Sequence, residues 1–132
     1  MPWQPGWYFL SDKAVTDVAM ENKAYRPYIK IIYRDFPGVD PLLAQIRAGL
    51  EEHAVPFAFS AAAAGQEKLG FTASMESPLR VGIGVDKNKN IALFHAQAGE
   101  VPILAIENTG DSGARTMGEN AGRLVMGLPL VG

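Results

Sequence analysis

Residues with the makings of chemistry fall in four places: Gly82 and Gly84 within "SPLRVGIGVDKNKNIALFH", the "GDSG" at 110–113, the histidines His53 and His95, and the adjacent carboxylates Glu51 and Glu52. A dinucleotide-binding loop holds its glycines in a tight turn between strand and helix, so that backbone N–H groups meet a pyrophosphate at the helix N-terminus. No third glycine follows here, and Val81, Ile83 and Val85 alternate with the glycines as in a strand. Two missing side chains on one face then let a helix or a partner lie close to the sheet.

"GDSG" also surrounds the nucleophile of trypsin-like proteases, but a serine nucleophile needs a base and an orienting third group on a two-barrel fold that this chain is too short to build. With a helix expected from residue 113, Asp111 and Ser112 read as caps for orphan backbone N–H groups. His53 and His95 have no carboxylate at a ligand spacing such as i, i+4 on one helix. His53 near a helix C-terminus is electrostatically favourable without any further role. Glu51 and Glu52 are the one carboxylate pair on a regular element, but neighbours on a helix point about 100° apart and form no acid–base dyad. Composition alone makes them a solvated helix face.

The elements that position these residues begin at residue 28. "YIKIIYR" (28–34) alternates as a strand, "DFPGVDP" turns the chain, and Asp40 with Pro41 predicts an N-cap and a proline at the first helical position. A helix over 41–53 places Leu42, Leu43, Ile46, Gly49 and Leu50 on one side. A strand over 55–60, an alanine-rich helix over 63–75, a strand over 79–86, the turn "KNKN", strands over 91–96 and 102–107 and a helix over 113–126 follow. Helices between the first three strands imply right-handed crossovers and a parallel core, whereas the short turn after the third permits only an antiparallel hairpin. The fold class expected is α/β: three layers, α/β/α, around a mixed five-stranded sheet, mostly parallel with one antiparallel strand, Rossmann-like and similar to anticodon-binding domains.

In the last helix Ala114, Met117, Ala121, Leu124 and Val125 share a face, while Gly118 and Gly122 form a small-residue ridge that predicts close approach by the sheet or a subunit. Each such glycine costs about 1 kcal/mol relative to alanine. Asn120 is read either as a surface residue or as a partner contact, and Gly127 with Pro129 ends the helix.

The first 27 residues differ: "MPWQPGWYFL" holds both tryptophans, Trp3 and Trp7, with Tyr8 and Phe9, and reads as an arm that packs on its own domain or another subunit, including a route to homo-oligomers. A short helix capped by Ser11, with Ala14, Val15 and Val18 on one face, is expected after it. Residues 28–132 form a single domain, a length that buries most of its apolar surface without staples. There is no cysteine, which excludes disulfide frameworks, thiolate metal sites and cysteine nucleophiles. With 12 Lys+Arg against 14 Asp+Glu and no basic cluster, a nucleic acid is not an expected partner. No apolar run approaches the roughly 20 residues of a membrane span, and no signal peptide opens the chain, so the expectation is a soluble cytoplasmic protein without a membrane partner.

Taken together, "GLEEHAVPF" (49–57), "SPLRVGIGVD" (77–86), "IALFH" (91–95), "VPILAI" (101–106) and "GENAGRLVMGLPL" (118–130) resemble, in order and spacing, the small subunit of the reactivating factors for coenzyme B12-dependent diol and glycerol dehydratases. The most specific pieces are the Gly-x-Asn-Ala-x-Arg-Leu-Val-x-Gly-hydrophobic-Pro run and the Ser-Pro-Leu-x-Val-Gly-Ile lead into the third strand. The resemblance implies a non-catalytic subunit that pairs with a large chaperone-like ATPase and shares its fold with the medium subunit of the dehydratase. It implies subunit exchange: the small subunit leaves the ATPase, the medium subunit takes its place, and damaged cobalamin escapes. It further implies that Glu52, with Glu51 beside it, reaches into the large subunit and helps hold Mg2+, no cofactor being bound by this chain alone; carboxylate oxygens are what such a hard cation takes. Glu51, Glu52 and Asn120 are thus the expected partner-binding residues.

Two departures accompany the likeness. The family's glycine before the second strand is Ala54 here, and the "DKNKN" hairpin is slightly longer. The arm has no family counterpart, which leaves open a divergent branch, a self-association device or a protein acting without the ATPase. Two rivals stand beside this reading. A dehydratase medium subunit would line a cobalamin site and is expected to carry a longer extension after "GLPLVG"; a small-molecule-binding or catalytic α/β domain would use the carboxyl ends of its parallel strands.

Overall fold

The computed structural model describes residues 26–132, so the expected aromatic arm and the Ser11-capped helix lie outside the described residues. The elements are β1 (Ile29–Tyr33), α1 (Val39–Glu51), β2 (Phe57–Ala61), α2 (Leu69–Glu76), β3 (Val81–Val85), β4 (Ile91–His95), a short 3-10 turn (Ala96–Ala98), β5 (Leu104–Ile106) and α3 (Asp111–Met126). Among the described residues the strands form one sheet in the order β2-β1-β3-β4-β5. β1 runs parallel to both β2 and β3, in register Ile31 to Phe59 and Ile31 to Ile83. β4 is antiparallel to β3 and to β5, with Leu93 opposite both Ile83 and Leu104. A mixed sheet with one reversed strand is the expected arrangement.

The two faces of the sheet are covered unequally. Ile29, Ile31, Val81, Ile83, Val85, Ile91 and Leu93 pack under Val39, Leu42, Ile46 and Leu50 of α1 and Ala114, Met117 and Ala121 of α3, the main core. The opposite face carries only Ile32, Leu69 and Ala73 as its buried cluster, beneath α2. The glycines of β3 explain why α2 lies so near: a Cβ on Gly82 would overlap the Ser74 backbone N and lie 2.5 Å from the Ala73 carbonyl carbon, and a Cβ on Gly84 would overlap the Gly70 backbone N. All of β3 is buried. The backbone of α2 lies over these glycines, the close helix approach expected of a thinned strand face.

Ser77 joins α2 to the sheet. Its buried hydroxyl donates to the Tyr28 carbonyl at 2.6 Å and accepts from the backbone N–H groups of Leu79 at 3.0 Å and Val81 at 3.3 Å. A single side chain thus fixes the approach to β1 and the start of β3. At the other end of β3 the Asp86 carboxylate accepts from Asn88 N–H at 2.8 Å, Asn90 N–H at 3.0 Å and the Asn90 amide at 3.0 Å, which closes the hairpin to β4.

Three local expectations need correction. The alanine-rich segment is a turn, and α2 starts at Leu69: the Arg34 guanidinium donates to the carbonyls of Ala63, at 3.1 Å, and Gln66, while Gly65 adopts φ 79. Asp40 lies in the first turn of α1 and does not cap it, because left-handed Gly38 (φ 95) begins the helix two residues earlier. Likewise α3 starts from Gly110 without a side-chain cap, so Asp111 and Ser112 sit inside its first turn, where the Asp111 carboxylate faces the positive end of the helix dipole. No helix of the described residues is long and apolar enough to cross a membrane.

Ala54 occupies φ 56, the left-handed region that glycine enters without a Cβ penalty. Ala54→Gly is therefore expected to stabilise the fold by roughly 0.5–1 kcal/mol in urea unfolding. Gly82→Ala is expected to destabilise it by about 1–3 kcal/mol, because backbone must move to admit the methyl group. Equal stability of wild type and both variants would contradict the packing described.

Candidate functional site

α1 and α3 lie against each other on glycine. A Cβ on Gly49 would overlap the Arg115 carbonyl and lie 2.6 Å from the Glu119 N, and one on Gly118 would overlap the Ile46 carbonyl. A Cβ on Gly122 would meet the His53 side chain at 2.8–3.0 Å. The ridge of Gly118 and Gly122 thus accommodates α1, neither the sheet nor a second subunit. This contact brings the end of α1, Glu51 to His53, beside the middle of α3.

The site is a cluster of charge at that crossing. Glu52, the C-cap of α1, donates its backbone N–H to the Gly49 carbonyl at 3.3 Å, and the following His53 N–H donates to the Leu50 carbonyl at 3.2 Å, which holds the end of the helix in place. Its Oε2 accepts from Arg115 Nε at 3.2 Å and Nη2 at 2.7 Å, and Oε1 has no hydrogen-bond partner among the described residues. Glu119 pairs loosely with Arg123, Nε to Oε2 at 3.6 Å. Glu52, His53 and Glu119 each offer one ligand atom, all within 4.8 Å of one another, and His53 Nε2 is buried without a partner. Glu51 is exposed and stands outside this group.

The electrostatics favour a cation. The C-terminal end of a helix carries roughly half a negative charge, and α1 has no basic residue in its last turn, yet Glu51 and Glu52 both sit there. Glu119 adds a third carboxylate from α3. Arg115 and Arg123 supply the positive charge from the neighbouring helix, and the free Oε1 of Glu52 is an oxygen ligand of the type a hard divalent ion takes.

Asn120 is fully buried, and its side chain works within the chain. Its amide donates to the Val131 carbonyl and accepts from the Val131 N–H, both at 2.7 Å, so the side chain pairs with backbone as a neighbouring strand would. Left-handed Gly127 ends α3, Leu128 N–H bonds the Arg123 carbonyl at 2.9 Å, and Arg123 Nη1 donates to the Pro129 carbonyl at 3.2 Å. The segment after α3 is thereby strapped along the helix, and it displays Leu128, Leu130 and Val131 next to the exposed Met126 at the helix end. Any contribution of Asn120 to a partner surface runs through this strap.

Sequence reasoning reached Glu52 and Asn120 but missed Arg115, Glu119 and the strap. Arg115 is 63 positions from Glu52, and no local pattern links them. The glycines were the available signal: Gly118 and Gly122 lie four apart on α3 and Gly49 lies on the apolar side of α1, small residues that let two helix backbones approach.

The carboxyl ends of the parallel strands, where a catalytic α/β domain would bind its substrate, hold an open groove of about 720 Å3 lined by Arg34, Lys68, Asp86, Lys87, Asn90 and Phe94 among others. Three of its charges are engaged in structure: Arg34 and Asp86 in the turns described above, and Lys68 with Glu100 at 3.0 Å.

The profile of the family "Dehydratase medium subunit" matches residues 26–131. The diol dehydratase-reactivating factor small subunit of Klebsiella michiganensis is 33% identical over 112 residues, covering 83% of this chain and 88% of that protein. A propanediol dehydratase-reactivating factor small subunit of Salmonella typhimurium is 32% identical over 87 residues, 64% of this chain and 75% of that one. Among solved structures, glycerol dehydratase reactivase superposes with a TM-score of 0.74 at 35% identity, over 80% of this chain and 97% of that one. Diol dehydratase-reactivating factor complexed with ADP and Mg2+ gives 0.70 at 29% identity, over 80% and 98%.

Asn120→Ala is expected to free the strap, with faster hydrogen exchange at the Val131 amide and a loss of about 1–3 kcal/mol in stability. Unchanged protection of Val131 would show that the strap is held by something else.

Proposed function

The chain belongs to the dehydratase medium-subunit family, and within it to the small subunits of diol/glycerol dehydratase-reactivating factors; on that premise we propose that it is the non-catalytic partner of a large ATPase subunit. In this role it releases damaged cobalamin from a B12-dependent diol or glycerol dehydratase by subunit exchange. The small subunit leaves the large one, and the medium subunit of the dehydratase occupies the vacated surface.

The observation that carries this reading is the double likeness: one fold matches a family described as the medium subunit of the dehydratase and also small subunits of reactivating factors. Exchange requires two proteins that present equivalent surfaces to one partner, and a shared fold is the simplest way to meet that requirement.

Glu52 is the residue through which this chain reaches a shared Mg2+. The fit rests on its free Oε1, on the carboxylate of Glu119 nearby and on the negative end of α1. A bound Mg2+ would supply charge neutralisation and a geometric bridge between the subunits, because it keeps several ligand positions for other oxygens. His53, a nitrogen donor, is the member of the cluster least suited to Mg2+. Glu51, exposed on the same helix end, contributes negative charge at the contact, and the Asn120-held strap borders it.

Two measurements test the proposal. The chain should co-purify with a large ATPase subunit, and the complex should tighten as Mg2+ is added. Glu52→Ala should weaken it by about tenfold or more, the loss expected when a buried charged contact is cut on one side. Binding to the other dehydratase subunits in place of the ATPase would assign the chain as a medium subunit. An unchanged affinity for Glu52→Ala would remove Glu52 from the contact.

A further inference from the structure

We propose that Arg115 is a resident counter-ion of Glu52, which holds and neutralises the carboxylate in the free chain and yields that carboxylate to a divalent cation when the partner docks. The inference rests on the reading of Glu52 as a cation ligand. It adds a competitor, within the chain itself, for the charge of the carboxylate that the cation would use.

Three observations lead to it. Both Arg115 donors converge on one oxygen, Oε2, and among the described residues Oε1 has no partner, so a cation can approach the carboxylate from that side. The pair is also half exposed, at 49% for the Arg115 side chain and 38% for Glu52, so its separation needs no opening of the core. Finally, the helix crossing fixes the distance: Arg115 stands on the α3 segment that Gly49 touches, so its side chain reaches Glu52 without any strain in α1 or α3. An exposed ion pair of this kind contributes little to folding and is readily exchanged. A divalent ion at the same carboxylate carries twice the charge of the guanidinium and is repelled while the guanidinium stays. Occupation of the site by the ion and release of Arg115 are therefore linked, and the released guanidinium becomes available to a carboxylate or phosphate on the partner.

The test is the Mg2+ concentration for half-maximal association of the full-length chain with its large ATPase partner, followed by surface-based binding for wild type, Arg115→Gln, Arg115→Lys, Glu52→Gln and the double variant Arg115→Gln/Glu52→Gln. Arg115→Gln is expected to lower the Mg2+ midpoint by about two- to fivefold, the range an exposed ion pair supports. Arg115→Lys, which restores the charge, should return the midpoint toward wild type, and Arg115→Gln should have no effect in the Glu52→Gln background. A midpoint that is unchanged or raised in Arg115→Gln overturns the counter-ion role while leaving Glu52 as a ligand. Loss of Mg2+ dependence from the wild-type curve itself, or its persistence in Glu52→Gln, instead overturns the cation reading, and with it this inference.

Discussion

The close contact of α1 with α3, made by Gly49 and Gly118 with Gly122 under His53, is the constraint on which the rest of the site depends. No side chain separates the two helices there, so the end of one and the middle of the other are held as a rigid pair. Glu52, His53, Arg115 and Glu119 come from positions far apart in the chain, yet their separations are set by that backbone contact and not by side-chain packing. The cost of glycine inside two helices, about 1 kcal/mol for each residue relative to alanine, is offset by the apolar faces this approach buries: Ile46 and Leu50 on one helix, Met117 and Ala121 on the other.

The other face of the sheet repeats the device. Gly82 and Gly84 admit α2 at backbone distance, so a short helix that buries Leu69 and Ala73 as its apolar contribution covers β3. A small domain thereby closes both faces of its sheet while keeping its larger core on the side that carries the charge cluster. That side also bears the strap from Leu128 to Gly132, tied down by Asn120. Charge and apolar surface are therefore contiguous through Arg123, which pairs with Glu119 and bonds the Pro129 carbonyl.

Much of this was legible in the sequence, and what was missed has physical causes. Alternation in "YIKIIYR", the four-residue turn "KNKN" and the helices between the first three strands led to the mixed sheet, because those signals are local and periodic. The thinned face of β3 was legible for the same reason. The segment "AAAAGQ" was misassigned because helix propensity is a weak prior: the guanidinium of Arg34, nearly thirty positions away, takes its carbonyls and holds a turn. Asp40, Asp111 and Ser112 looked like caps, but glycine at positions 38 and 110 starts the helices earlier. Glu52 was found through a family likeness, and its partners Arg115 and Glu119 were not found, since ion pairs across a helix crossing leave no trace in local spacing. The sequence around Asn120 is compatible with a surface or a contact role, and the pairing with Val131 follows from the fold alone.

The account stands or falls on exchange, for which a fold shared with the dehydratase medium subunit is the physical basis. The most direct measurement is displacement of the labelled chain from its complex with the large ATPase subunit by the purified medium subunit of the partner dehydratase. The account predicts saturable release, with the medium subunit found in the complex in place of this chain. A ternary complex that holds both proteins at once, or no release at any concentration of medium subunit, would contradict it.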